Sequence, residues 1–88
     1  MKLEEVKELL SEWEYDDTIL FENPSYETAI IGYDEKGRVI YDYDKMVQYL
    51  MDTDNMDEEE AIEFIEYNTI RALPYFGPMK PIIKHSFE

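Results

Sequence analysis

The chain has 88 residues, the size of one small domain, so we treat residues 1–88 as a single acidic domain. It carries 22 acidic and 8 basic side chains, for a net charge of −14, and it contains no cysteine. These numbers exclude a disulfide-held fold and argue against direct nucleic-acid binding, which needs a basic surface. Because no apolar run reaches membrane-span length and the N-terminus lacks the apolar stretch of a signal peptide, we expect a cytoplasmic protein.

A high net charge is also typical of disordered chains, so the apolar content decides whether this chain folds. Apolar residues make up 44% of the sequence and aromatic residues 15%, including eight tyrosines. Disordered acidic chains are poor in both classes. We therefore expect a folded domain whose stability is reduced by repulsion among its carboxylates.

The first predicted element is an amphipathic helix over residues 2–14, which Asp16 and Asp17 are expected to end. Its apolar residues recur at helical spacing. They are Leu3, Val6, Leu9, Leu10 and Trp13. The opposite face is acidic, and glutamates four residues apart on it repel each other weakly.

A β-hairpin is the clearest local signal. Residues 27–33 and 38–43 are rich in β-branched and aromatic residues, as expected for strands. Residues 34–37 lie between them and end in Gly37, which suits the left-handed position of a four-residue hairpin loop.

Two further helices follow the hairpin. The first is predicted at about residues 44–52. The second is predicted at about residues 57–73, because Asp57 and Glu60 fit a capping box and Pro74 is expected to end the helix.

The last predicted element is a third strand beside the hairpin. Residues 82–85, which begin with two isoleucines, form this strand, and Pro81 lies at its start, where proline is tolerated in strands. The order of elements is then α-β-β-α-α-β. The sequence predicts a small α+β domain in which an antiparallel hairpin, or a three-stranded sheet, packs against helices.

The acidic residues are concentrated in residues 52–66, which contain eight acids and no base. On a regular helix Glu59, Glu63 and Glu66 lie along one edge, about 4.5–6 Å apart along the axis. A nucleic-acid strand carries one phosphate per about 3.4 Å of helix axis, which is a similar axial spacing. A second row on the first helix consists of Glu5, Glu8 and Glu12. We hypothesise that these rows mimic nucleic acid and bind a basic, nucleic-acid-binding protein.

Two other interpretations use the same residues differently. The plainer one is a solvated acidic face, since acids in the first turn of a helix oppose its macrodipole. The other is a self-associating domain, such as a homodimer, or an adaptor domain; either would use an apolar aromatic surface, because tyrosine is common at interfaces. The residues of this alternative surface are Tyr33, Tyr41, Tyr43, Tyr75 and Phe76.

No constellation of catalytic or metal-binding residues stands out. Asp52, Asp54 and Glu63 match three positions of a calcium-binding loop, but Met56 and Asp57 stand where that loop needs a ligand and a glycine. The sequence has one histidine, His85, with no obvious partner for catalysis. We therefore expect neither enzymatic activity nor a bound metal or cofactor.

Three stretches of the chain resemble a group of short acidic proteins from Gram-positive bacteria and their phages or prophages. They are ENPSYETAIIG (22–32), YDYDKMVQYL (41–50) and EEAIEFIEYNTIRALPY (59–75). No activity is assigned to that group, so the resemblance implies no functional residues. It does imply a mobile-element protein, and such elements often carry small acidic inhibitors, including anti-CRISPR and anti-restriction proteins that mimic DNA.

Overall fold

A three-stranded mixed sheet organises the fold in the computed structural model. Strand β1 (Ile30–Tyr33) pairs antiparallel with β2 (Val39–Asp42), and β2 pairs parallel with β3 (Ile82–Lys84). The strand order is β1-β2-β3, so the predicted hairpin and third strand are confirmed. The residues that the structure describes are 2–13, 18–22 and 24–85.

Three α-helices complete the predicted order. Helix α1 spans Leu3–Glu12, α2 spans Tyr43–Asp54 and α3 spans Glu58–Phe64. The order α-β-β-α-α-β and the α+β class are thereby confirmed. The expected end of the first helix at Asp16 and Asp17 lies outside the described residues.

Side-chain caps fix where α2 and α3 begin. The carboxylate of Asp42 accepts a hydrogen bond from the backbone N–H of Lys45 at 3.1 Å, so α2 follows β2 without a loop. Asp57 accepts from the N–H of Glu60 at 2.8 Å, and Glu60 accepts from the N–H of Asp57 at 3.3 Å. This capping box was predicted, and each cap satisfies an N–H group that lacks a partner within its helix.

The prediction of one regular helix to residue 73, ended by Pro74, is wrong. After α3 the chain forms a π-helical segment (Ile65–Thr69) and then 3₁₀ turns over Ile70–Met79, which run through Pro74. Proline is compatible with these turns because its fixed φ of about −65° lies within the 3₁₀ range. The turns are instead interrupted at Gly77, whose φ of 78° is in the left-handed region.

The first strand begins three residues later than predicted. Glu27–Ala29 form a 3₁₀ turn, in which the N–H of Ala29 donates to the carbonyl of Tyr26 at 2.9 Å. Tyr26 itself is left-handed, with φ 50°, and its ring is fully buried. Its hydroxyl is 2.7 Å from that of Thr69, so a buried tertiary contact outweighs the local preference for a strand.

The core is built around aromatic rings on one side of the sheet. The ring of Phe21 lies 4.8 Å from that of Tyr41 and 5.6 Å from that of Tyr26. The hydroxyl of Tyr41 accepts a hydrogen bond from the backbone N–H of Phe21 at 3.1 Å. Burial raises the pKa of Tyr41 to about 12, with this hydrogen bond acting in the opposite direction. Val6 and Leu10 bring α1 against the same core.

Asp34 holds the hairpin loop together. Its Oδ1 accepts from the backbone N–H groups of Lys36 at 3.0 Å and Arg38 at 2.8 Å, and its Oδ2 accepts from Nε of Arg38 at 2.6 Å. Partial burial by itself would raise the pKa of Asp34, but the hydrogen bonds and the charge of Arg38 outweigh it and lower the pKa. Gly37 takes the left-handed conformation expected in this loop, with φ 87°.

Candidate protein-binding surface

The acids of residues 52–66 lie at the surface; most surround the corner where α2 ends and α3 begins, and Glu66 lies further along the chain, beyond the end of α3. We call this set the acidic patch: Asp52, Asp54, Asp57, Glu58, Glu59, Glu60, Glu63 and Glu66. Each of these side chains is exposed. No basic side chain of the described ranges lies within ion-pair distance of any of them. The negative charge of the patch therefore faces water uncompensated.

The two ends of the patch relate differently to the helix dipoles. Glu58, Glu59 and Glu60 lie in the first turn of α3, where negative charge is stabilising. Asp52 and Asp54 lie in the last turn of α2, which has no basic residue, and there a negative charge costs about 0.3–1 kcal/mol. Asp52 recovers part of this cost because its carboxylate accepts a hydrogen bond from Nε2 of Gln48 at 2.8 Å, four residues earlier. Helix stability therefore explains the acids at the start of α3, and the hydrogen bond from Gln48 accounts in part for Asp52, but neither explains Asp54.

The predicted row Glu59, Glu63 and Glu66 does not continue straight along one helix. All three side chains are exposed, but Glu66 lies in the π-helical segment, beyond the last residue of α3. Burial raises the pKa of Tyr43, and the neighbouring carboxylate of Glu66 raises it further. Glu66 therefore lies beside Tyr43 at the start of α2, whereas Glu63 has other neighbours.

Glu63 lines a shallow acidic depression of about 310 Å³. Its other walls include Glu60, the half-buried ring of Phe64, and Tyr67, whose side chain is 67% exposed. Asn68 closes one side. Charge and exposed aromatic surface are thus adjacent here, which is the combination expected of a protein-binding surface.

A second depression, of about 290 Å³, adjoins the first; we call it the aromatic pocket. Phe64 and Asn68 line both. Its remaining aromatic side chains are Phe21, Tyr26 and Phe76, and its polar ones include Glu22 and Thr69. The sequence predicted none of this, because the pocket lies over the π-helical segment, which no sequence pattern identified.

The second predicted row is also at the surface. Glu5, Glu8 and Glu12 are exposed on α1, on the side away from the buried Val6 and Leu10. Lys7, which could offset them, instead pairs with Glu22, its Nζ lying 3.1 Å from Oε1. We keep this row as a second candidate contact surface.

The alternative aromatic surface needs a correction. Tyr41 is fully buried and bonded within the core, so it cannot contact a partner. Tyr33 is 46% exposed and its ring lies 5.1 Å from that of Trp13, whereas the ring of Tyr43 lies 4.6 Å from that of His85. The remaining two predicted residues are Tyr75, which is 88% exposed, and Phe76, which lines the aromatic pocket. These tyrosines therefore have different neighbours.

One apolar groove does lie beside Trp13 and Tyr33. It lies between α1 and β1, has a volume of about 240 Å³, and is lined by residues that include Leu9, Trp13, Ile31 and Tyr33. Three of these side chains are among the exposed large hydrophobic residues of the chain: Trp13, Ile31 and Tyr33.

The described residues contain neither a group of metal-binding side chains nor a helix that could cross a membrane. Across residues 2–13, 18–22 and 24–85, no three histidine or carboxylate side chains are grouped so that they could hold a metal ion. In that same part of the chain, every helix is too short or too polar to cross a membrane. Comparison with protein-family models, with curated proteins and with solved structures finds no match to this chain.

Proposed function

We propose that this protein is a non-enzymatic cytoplasmic binding protein whose acidic patch occupies a basic nucleic-acid channel of another protein. It would compete there with DNA or RNA, as anti-CRISPR and anti-restriction proteins of mobile elements do. The observation that carries the proposal is the patch itself: exposed carboxylates on a folded frame, with no described basic side chain near enough to pair with them.

The placement of these charges supports a role outside the fold. Asp54 lies at the negative end of the α2 dipole, where its charge reduces stability and no hydrogen bond to a described residue compensates for it. An acid that only served solubility would be tolerated more easily elsewhere on the surface. In a complex, the charge would mainly speed association and make it salt-sensitive, while aromatic contacts such as Tyr67 would hold the partner.

The test is a capture experiment with a triple variant, Glu59→Gln, Glu63→Gln and Glu66→Gln. The wild-type protein is immobilised, exposed to a bacterial lysate and eluted with a salt gradient, with and without added duplex DNA or RNA. We expect bound proteins that bind nucleic acid, that elute at moderate salt and that the added nucleic acid displaces. The triple variant should retain these proteins much less.

Matched variants locate the contact surface. Replacing Glu5, Glu8 and Glu12 with glutamine removes the same charge from α1, and Glu35→Gln removes one exposed charge from the hairpin loop. We expect Glu35→Gln to bind as the wild type does. Capture that nucleic acid does not displace, or that the α3 triple variant leaves unchanged, would contradict the proposal.

A second candidate function is self-association through the groove between α1 and β1. The exposed Trp13, Ile31 and Tyr33 favour it, because large apolar side chains grouped at a surface commonly mark interfaces. Two copies each of charge −14 repel, so added salt should strengthen a dimer, whereas it should weaken binding through the acidic patch. Measuring the mass in solution at low and high salt separates the two functions, and a monomer at all concentrations would eliminate this one.

A further inference from the structure

The aromatic pocket has the dimensions and chemistry of a site for one side chain. At about 290 Å³ it lies at the lower limit of pockets that hold small molecules. Phe21 and Tyr26 are buried beneath it, their ring centroids 5.6 Å apart, and the ring of Phe76 lies 6.0 Å from that of Phe21. Phe64 and Phe76 are half-buried, so part of each remains accessible from the pocket.

The polar groups of the pocket offer acceptors. Nδ2 of Asn68 donates to the carbonyl of Phe64 at 3.2 Å, which leaves the amide oxygen of Asn68 without a partner in the described part of the chain. Glu22 uses Oε1 for Lys7 and has a side chain that is 71% exposed, so its second oxygen can accept from a ligand. The hydroxyl groups of Thr69 and Tyr26 bond to each other at 2.7 Å.

The charged side chains next to the pocket are negative, as Glu22 is. Glu60 and Glu63 line the acidic depression on the other side of Phe64 and Asn68, which the two depressions share. A ligand that enters the pocket therefore approaches through a negative field, with aromatic surface and unpaired acceptors at its destination. These features are complementary to a flat cation that carries several N–H donors.

We infer that the aromatic pocket binds an arginine side chain of the partner protein. Arginine stacks on aromatic rings and has five N–H donors in a fixed plane, whereas the lysine ammonium is compact and strongly hydrated. A phenylalanine in the same place would cover the Asn68 and Glu22 acceptors without supplying a donor. The inference rests on the proposed function, since arginines of a nucleic-acid channel are the residues that otherwise contact phosphate.

The test is an NMR titration of the full-length chain with three capped amino acids at fixed ionic strength. They are the Nα-acetyl amides of arginine, of citrulline, which is the neutral isostere of arginine, and of phenylalanine. We expect arginine to produce saturable amide shifts at Phe64, Asn68 and Thr69. Citrulline should bind roughly tenfold more weakly, because it lacks the charge that strengthens the stacking and the hydrogen bonds.

Two variants and one control sharpen the result. Glu22→Gln keeps the shape of the pocket and should weaken arginine binding by about threefold, since it removes one charge-assisted contact. Phe76→Leu keeps an apolar wall but removes a ring, and it should also weaken arginine relative to phenylalanine. Glu35→Gln removes an equal charge from the hairpin loop and should leave binding unchanged.

Equal binding of phenylalanine would overturn the inference in favour of an apolar anchor, and equal binding of citrulline would overturn it by showing that the charge of arginine is not recognised. Shifts spread evenly over all acidic residues, including Glu35, would overturn it in favour of non-specific charge. The proposed function can fail independently of the pocket. If the pocket binds arginine but added DNA does not displace the captured proteins, arginine binding is supported and nucleic-acid mimicry is contradicted. If Glu22→Gln and Phe76→Leu leave DNA-competed capture intact, the mimicry stands and the pocket plays no part in it.

Discussion

The hairpin loop and the corner between α2 and α3 are both acidic, but they use their carboxylates in opposite ways. In the loop, Asp34 accepts two backbone N–H groups and pairs with Arg38, and its pKa is lowered as a result. At the corner, the exposed carboxylates of the acidic patch have no described basic partner. Net charge alone therefore does not tell which acids the fold needs; the hydrogen-bond partners of each carboxylate do.

The corner itself contains both carboxylates that the fold uses and carboxylates that accept no hydrogen bond from another described residue. Asp57 and Glu60 form the capping box of α3 and are structural, even though they are exposed. Glu59 and Glu63 accept no hydrogen bond from another described residue and lie on the outer side of the same helix. This division predicts different outcomes for substitutions that remove the same charge.

The largest effect is expected at the hairpin loop. Asp34→Ala removes the acceptor of two backbone N–H groups and the partner of Arg38, so only backbone hydrogen bonds between residues 34, 37 and 38 still close the loop. We expect a clear decrease in the urea concentration at the unfolding midpoint. The matched variant Glu35→Ala, one residue further along and exposed, should leave the midpoint nearly unchanged. Equal effects of the two variants would contradict the structural role of Asp34.

The pH dependence of the same pair follows from the lowered pKa of Asp34. A carboxyl whose folded-state pKa lies below its ordinary value of 3.8 stabilises the fold fully above that pH and loses the contribution as the pH falls through its lower folded pKa. The stability difference between the wild type and Asp34→Ala should therefore shrink on acidification below pH 3.8. Urea titrations at a series of pH values measure this stability difference. A difference that grows towards low pH would contradict a lowered pKa for Asp34 in the folded protein.

The next largest effect is expected at the cap of α3. Asp57→Ala removes the acceptor for the N–H of Glu60 and should destabilise the protein by about 1 kcal/mol, the usual cost of losing an N-cap. Asp57→Ser, which keeps a capping oxygen without the charge, should recover most of this loss in thermal unfolding. If serine were as damaging as alanine, the charge and not the cap would be what matters.

The smallest effect is expected at the end of α2 and has the opposite sign. Asp54→Asn removes a negative charge from the negative end of the helix dipole and should stabilise the protein by about 0.3–1 kcal/mol at low salt. Glu58→Gln makes the same charge change in the first turn of α3 and should be slightly destabilising. High salt should reduce both effects, because it screens exposed charges.

Most of the fold could be predicted from local patterns. The capping box of Asp57 and Glu60, the loop that ends in Gly37 and the final strand after Pro81 each have a signature of a few residues, and each is observed. The failures occur where distant contacts decide. The left-handed Tyr26 shortens β1 because its ring is buried and its hydroxyl reaches Thr69, far along the chain.

The candidate site was predictable only in part. Helical spacing predicted that Glu59 and Glu63 would be exposed, but it assumed regular winding as far as Glu66. The π-helical segment changes that winding, and the aromatic pocket over it brings Phe21 and Phe76 together from opposite ends of the sequence. A pattern of residue types along the chain contains no information about a contact between residues so far apart in sequence.

The most direct test of this account is the free energy of unfolding of the double variant Glu59→Gln, Glu63→Gln, measured by urea titration at low ionic strength. Neither carboxylate accepts a hydrogen bond from another described residue or lies within ion-pair distance of a described basic side chain, which leaves both available to a partner. We therefore expect the variant to differ from the wild type by about 0.5 kcal/mol or less, because the helix-dipole stabilisation lost at Glu59, in the first turn of α3, is offset by reduced repulsion within the patch. A loss of about 1 kcal/mol or more, beyond what exposed charges contribute, would show that they are structural and would contradict the account.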